Sequence, residues 1–225
     1  MAPKLRVQVI LKNSKNQSLM ADAHPKGLTR GLASAALSYE TFQVCEDTRC
    51  QVIRILPNQQ LHQGITSVEC EQGVSGALTQ YMLSSEQVTS TIAVANQWQE
   101  DELICAGGLL VQLLPEANRE TLETLTKTLE RLHLLEDQLL QSHCDPHEMI
   151  QSTLEPFPHT ILDETDVYFG CTCSETRVLG ALGTLPREEI QEMSSSNAVI
   201  NIECDYCQKE YHISSLRLQS LLTSA

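Results

Sequence analysis

Two pairs of cysteines in the last quarter of the chain have spacings that could do chemistry. Cys171 and Cys173 form a C-x-C in "FGCTCSET", and Cys204 and Cys207 form a C-x-x-C in "IECDYCQKEYH". Zn²⁺ takes four thiolates in a tetrahedron at about 2.3 Å, and two tight pairs from separate parts of a chain are the usual way to build one. The same residues permit other chemistries. Structural disulfides would require an oxidising compartment. Thiolates held by zinc also stay nucleophilic toward peroxide or hypochlorous acid, and in either pair a resolving partner sits beside the attacked sulfur. Spacing alone does not separate an inert zinc staple from a redox switch.

The elements around the cysteines must bring the pairs together. The segment between them begins as a helix in "SETRVLGAL", and Pro186 suits the first turn of a second helix, with Glu188 and Glu189 near the positive end of its dipole. "AVINIE" alternates as a short strand leading into the second pair. Both pairs then lie at element ends and can converge. So small a segment buries little apolar surface, so bound metal would supply much of its stability.

Upstream, residues 1–114 mix strand and helix signals. "KLRVQVIL" puts Leu5, Val7, Val9 and Leu11 on one face of a period-two pattern. Turn signals in "NSKNQS", "HPKG" and "PNQQ" space it from further strands expected in "LASAALSY", "FQVCED" and "CQVIRIL". Val74, Leu78, Tyr81 and Met82 then fall at helical intervals, and "TSTIAVANQW" and "ICAGGLLVQLLP" return to strand character. The expected class is α+β. Residues 115–166 read as an acidic helical linker. Leu122, Leu125, Leu129, Leu132 and Leu139 form a stripe with Asn118 as its expected N-cap, and Pro146, Pro156 and Pro158 interrupt the helix beyond the stripe. Residues 167–225 carry the four thiols.

Composition removes several function classes. A net charge of -14 opposes unaided binding to nucleic acid or anionic lipid. No apolar run of about 18 residues is present to span a bilayer, and "MAPKLRVQVILKNSK" lacks the features of a secretory signal. Nine cysteines without such a signal point to a reducing, cytoplasmic setting. Of the five outside the motif, Cys45, Cys50, Cys70, Cys105 and Cys144 are expected as single buried cysteines, although Cys45 and Cys50 are close enough in sequence to pair. His212 follows the second pair but is expected at the surface, and "AGGLL" lacks a phosphate-binding frame, so a turn or a close backbone contact is expected there. No local signature assembles a catalytic triad, so no enzyme is expected. A thiol-disulfide oxidoreductase should carry its C-x-x-C at a helix N-terminus beside a βαβ unit, whereas this one follows a strand. A zinc-stapled interaction protein that never switches is the remaining alternative.

"YFGCTCSETRVLGALGTLPREEIQEM" followed by "INIECDYCQKEYHI" resembles the zinc module of the heat-shock protein 33 family, the redox-regulated holdase chaperones. "TRG" at Thr29–Gly31, "YMLSSEQV" at Tyr81–Val88 and "AGGLLVQLLPEAN" at Ala106–Asn118 extend the resemblance over nearly the whole chain. It implies a client-binding core domain over 1–114, a metastable helical linker over 115–166 and a Cys₄ redox switch over 167–225. One Zn²⁺ per chain would be held by Cys171, Cys173, Cys204 and Cys207 when reduced. Oxidation would join Cys171 to Cys173 and Cys204 to Cys207, release the metal and unfold the module. The exposed surface would then hold unfolding proteins without ATP, as a homodimer. Members of the family begin with a longer N-terminal segment than this chain has.

Overall fold

In the computed structural model, residues 6–34, 42–45, 47–56, 58, 60–68, 73–114, 145–195 and 199–223 are described. The leucine stripe of the expected linker helix, within 115–144, lies outside them, as do Cys70 and Cys144.

The alternation in "RVQVILK" produces strand β1 (Arg6–Lys12), the centre of a six-stranded sheet. It pairs antiparallel with β2 (Ser18–Ala23) on one side and β4 (Arg49–Ile55) on the other. β3 (Leu28–Ala33) extends the sheet beyond β2, and β5 (Leu61–Ser67) extends it beyond β4. The expected turns join them. Asn13 and Gln17 close the first, with Asn16 at a φ of 61°, and Gly27 at 77° closes the second. Glycine takes that conformation at no steric cost.

Register gives the sheet two unlike faces, because residues paired across strands share a face. Leu11 lies opposite Cys50 and Leu19, and Val9 opposite Val52 and Ala21. Helix α1 (Gly73–Ser84) closes this inner face, burying Leu11, Cys50, Val52, Val68, Ala77 and Tyr81 together. The outer face carries Gln8, Met20, Asp22 and Arg30. A long hairpin, β6 (Ser90–Gln99) and β7 (Glu102–Gln112), continues from α1. Thr79 and Ser75 of the helix accept from its Ile92 and Val94 backbone N–H groups. Helix α2 (Pro146–Leu154) is capped by Asp145, and it sets Met149 against Cys105, Ala93, Ala95 and Leu109 of the hairpin. Pro146 starts this helix rather than breaking one, since a first-turn residue needs no N–H.

The α+β expectation holds, with local corrections. β2 and β5 were not expected. Asp22 interrupts the apolar pattern of β2, and Gln63, Gly64 and Thr66 dilute that of the edge strand β5. Of "LASAALSY", Leu32 and Ala33 end β3 while residues 35–39 lie outside the described residues, and "FQVCED" forms no strand among its described residues. The glycines of "AGGLL" stand inside β7, where a Cβ at Gly108 would come within 3.0 Å of the Ala93 carbonyl oxygen. That is the close backbone contact expected rather than a turn. Among the described residues no helix is long and apolar enough to cross a membrane.

Cys45 and Cys50 both carry free thiols, so they are not joined. Cys105 departs from the single-cysteine reading: it is buried but disulfide-bonded. Periodicity along one chain cannot reveal a covalent partner. Burial pushes the Cys50 thiol up to about 11. At pH 8, iodoacetamide should therefore label Cys45 in the folded protein and spare Cys50 until urea is added; mass analysis of the labelled peptides decides, and equal labelling of both would contradict the packing.

Gly64 gives a second prediction. A Cβ there would stand 2.6 Å from the Tyr81 hydroxyl, which donates to Glu86 at 2.8 Å while Arg54 also holds that carboxylate at 2.6 Å. Gly64→Ala is expected to cost about 1–3 kcal/mol in urea unfolding. Tyr81→Phe in the same background should recover part of the loss, because the clashing oxygen is gone; simple additivity would refute this account.

Candidate metal centre

The first cysteine pair is delivered by the core sheet itself. β8 (Tyr168–Phe169) pairs parallel with β3, and the Gly170 N–H donates to the Thr29 carbonyl at 2.9 Å. Absent side chains permit this approach. A Cβ at Gly27 would lie 1.8 Å from the Asp166 carbonyl oxygen, and one at Gly170 would lie 2.4 Å from Leu28. The chain then leaves the sheet through Cys171 and Cys173 and enters α3 (Glu175–Leu182), capped by Ser174, whose hydroxyl accepts from the Arg177 N–H.

After α4 (Arg187–Ser195), a hairpin of β9 (Ile200–Glu203) and β10 (Glu210–Ile213) presents the second pair on its tip. Cys204 accepts from the Gln208 N–H at 2.7 Å and donates its own N–H to Lys209 at 3.0 Å, with Gln208 at a φ of 57°. This tight knuckle is what two intervening residues allow. Alternation along β10 turns Tyr211 and Ile213 inward, where they join Ile190 and Leu218 in a small core closed by α5 (Ser215–Thr223), a helix not expected from the sequence. His212 faces outward, beside Asn201 at 2.7 Å, away from the thiols as expected.

The four sulfurs converge. Cys171 Sγ lies 3.7 Å from Cys204 Sγ, Cys173 Sγ lies 3.4 Å from Cys207 Sγ, and all four fall within 4.8 Å of one another. A tetrahedron with Zn–S bonds of about 2.3 Å has edges of about 3.8 Å, so the set has the size of a Cys₄ site. Its electrostatics agree. Burial opposes ionisation of Cys171, but the Cys173 N–H and thiol, the Arg30 guanidinium and the Cys204 thiol together pull it down to about 6. At Cys207 the Lys209 N–H acts downward, yet Cys173, burial and the remaining thiols push the group up to about 12. Tyr211 is raised to about 12, chiefly by donating to Cys173 Sγ at 3.0 Å, and so stays a neutral donor. One sulfur ionises readily while another resists, as expected of like charges crowded together; four thiolates here require a cation among them.

Sequence spacing missed the residues that surround the cluster. Arg30 Nη1 reaches Cys171 Sγ at 3.5 Å from 141 positions away in the chain. Its guanidinium lies 3.9 Å from the ring centroid of Tyr206, the third residue of the C-x-x-C. "TRG" was visible as a short motif, but nothing local connects it with a cysteine pair.

Comparison with known proteins agrees with this fold. The family model described as Hsp33 protein matches residues 2–214. The 33 kDa chaperonin of Bacillus velezensis is 30% identical over 220 residues, which cover 91% of this chain and 73% of that protein. Those of Lachnoclostridium phytofermentans and Syntrophotalea carbinolica are each 33% identical, over 65% and 76% of this chain, and the chain spans only 50% and 59% of their lengths. The crystal structure of the 33 kDa chaperonin, a heat shock protein 33 homolog, from Thermotoga maritima shares the fold with a TM-score of 0.75 at 18% identity, covering 99% of this chain and 79% of that one. The chain belongs to the Hsp33 protein family.

Proposed function

We propose that this protein is a redox-regulated, ATP-independent holdase of the cytoplasm that captures unfolding proteins under oxidative stress. The observation that carries this reading is the convergence of four thiols within 4.8 Å in a chain of the Hsp33 family. Residues 1–114 are the client-binding core, 115–166 the metastable linker and 167–225 the switch. The reading includes neither enzyme activity nor binding to nucleic acid or membrane.

In the reduced state Cys171, Cys173, Cys204 and Cys207 hold one zinc ion. Bound zinc would keep the four sulfurs as thiolates and tie the end of β8 to the tip of the β9–β10 hairpin. The chain supplies the rest. Among the described residues the module buries four apolar side chains, with partly buried ones packed around them, a small core whose fold would lean on the tie. Hydrogen peroxide takes two electrons from each pair, giving the Cys171–Cys173 and Cys204–Cys207 disulfides. Each disulfide consumes one peroxide and two thiols and leaves two waters. Disulfide sulfur binds metal poorly, so the tie is lost and the module melts.

The core carries apolar surface that clients could use once the switch has acted. Val94, Trp98, Leu103, Ile104 and Leu110 of the β6–β7 hairpin are exposed, and an apolar groove lined by Val9, Leu19, Leu32, Val74 and Leu78 runs along the sheet. Such patches mark binding surfaces. The oxidised form is proposed to work as a homodimer.

Reduced, zinc-loaded protein treated with peroxide at elevated temperature should release its zinc, lose its four cluster thiols and only then suppress aggregation of a heat-denatured client, followed by chelator absorbance, thiol titration and light scattering. Zinc that survives peroxide, with aggregation unaffected, would instead mark a structural staple; turnover of a disulfide substrate would mark an oxidoreductase. Cys173→Ser is expected to bind zinc poorly and lose peroxide-dependent regulation, and an unchanged zinc stoichiometry in that variant would remove Cys173 from the ligand set.

A further inference from the structure

The outer face of the sheet carries a polar ladder that ends on the thiol cluster. Asp22, its side chain fully buried, lies opposite Gln8 on β1 and Arg30 on β3. Arg6 grips both carboxylate oxygens at 2.7–3.0 Å, and Arg30 Nε donates to Oδ2 at 2.7 Å. Bonding of this kind fixes the guanidinium plane, because a planar fork held along one edge has little freedom left. The opposite side of Arg30 then faces the module, with Nη1 at 3.5 Å from Cys171 Sγ and the ring of Tyr206 stacked at 3.9 Å. Tyr206 continues to the sheet: its hydroxyl donates to Met20 Sδ at 2.6 Å and accepts from Gln8 Nε2 at 3.4 Å.

We propose that Arg30, oriented by Asp22, is a latch that docks the cysteine module on the core sheet and transmits the oxidation state of Cys171 to it. This rests on the reading of the thiols as a redox metal site. The chemistry of the latch comes from charge. A guanidinium beside a thiolate makes a charge-assisted contact, and the cation–π stack on Tyr206 adds to it. When Cys171 and Cys173 give two electrons to hydrogen peroxide and become a disulfide, with water as the other product, the sulfur facing Arg30 is neutral. The contact weakens at the moment the module loosens. Tyr206, on the two-residue bridge between Cys204 and Cys207, cannot keep its place when that knuckle reorganises. Both halves of the latch therefore answer to the thiols, one through charge and one through position. Release uncovers Met20, which Tyr206 covers, and frees β8 from β3.

Amide hydrogen exchange reads the latch directly, because the Tyr168 and Gly170 N–H groups donate to Gly27 and Thr29 of the core. In the full-length, reduced, zinc-loaded chain, Arg30→Ala and Tyr206→Leu should each retain one zinc, keep protection in β1 and β4 and lose about tenfold in protection at 168 and 170. Binding of an apolar dye should rise without peroxide. Arg30→Lys, which keeps the charge but not the fork or the stack, should recover only part of the protection. Peroxide should raise exchange at the same amides in the unsubstituted protein. Protection at 168 and 170 that is unchanged in both Arg30→Ala and Tyr206→Leu overturns the latch, as does protection that outlasts zinc loss in the unsubstituted protein. Failure of the unsubstituted protein to bind zinc strikes the metal reading instead, and the variant comparison at 168 and 170 still decides the docking contact. If Arg30→Ala itself loses zinc, the exchange of Tyr206→Leu, which leaves the Cys171 contact in place, decides between a latch and none.

Discussion

Four sulfur atoms crowded within 4.8 Å set the terms for the rest of this protein. Thiolates that close repel one another, so the cluster is stable either with protons on some sulfurs or with a cation among them. The divergent behaviour of Cys171, drawn down to about 6, and Cys207, driven up to about 12, is that constraint seen from two members of the set. Among the described residues of the module around it, Ile190, Tyr211, Ile213 and Leu218 are the buried apolar ones, and Tyr211 also serves the cluster by donating to Cys173.

The core has the opposite character. Its inner face packs Leu11, Val52, Val68, Ala77 and Tyr81 against one another, with the Arg54, Glu86 and Tyr81 side chains hydrogen-bonded at its edge. None of these contacts involves a cluster thiol. The two parts meet on the outer face, through backbone bonds between β8 and β3 and through the side chains of Arg30 and Tyr206. The apolar clusters of the sheet and of the module are thus separate, each closed by its own helices.

Much of this was legible in the chain. The alternation of Val7, Val9 and Leu11 forced a strand whose inner face buries Leu11 and half-buries Val9 while Val7 stays exposed near its start, and Val74, Leu78, Tyr81 and Met82 forced a helix to cover it. The C-x-C and C-x-x-C spacings marked the four thiols that converge, because two tight cysteine pairs are how a tetrahedral metal site is built. Strands with a mixed pattern were less legible. β2 hides Asp22, whose carboxylate is acceptable inside only because two arginines from neighbouring strands reach it. β5 is a polar edge strand, and its Gly64 is there for the Tyr81 hydroxyl rather than for any turn.

The α+β class, the four thiols and the order of sheet, helix and module could all be read along the chain, since periodicity and ligand spacing are local properties that survive without a partner. The surroundings of the thiols could not. Arg30 and Cys171 are 141 residues apart, and Tyr206 and Met20 are 186 apart. Only strand pairing, with Asp22 opposite Arg30 and β8 beside β3, fixes those distances. Register of that kind depends on hydrogen bonds between segments that carry no mark of one another.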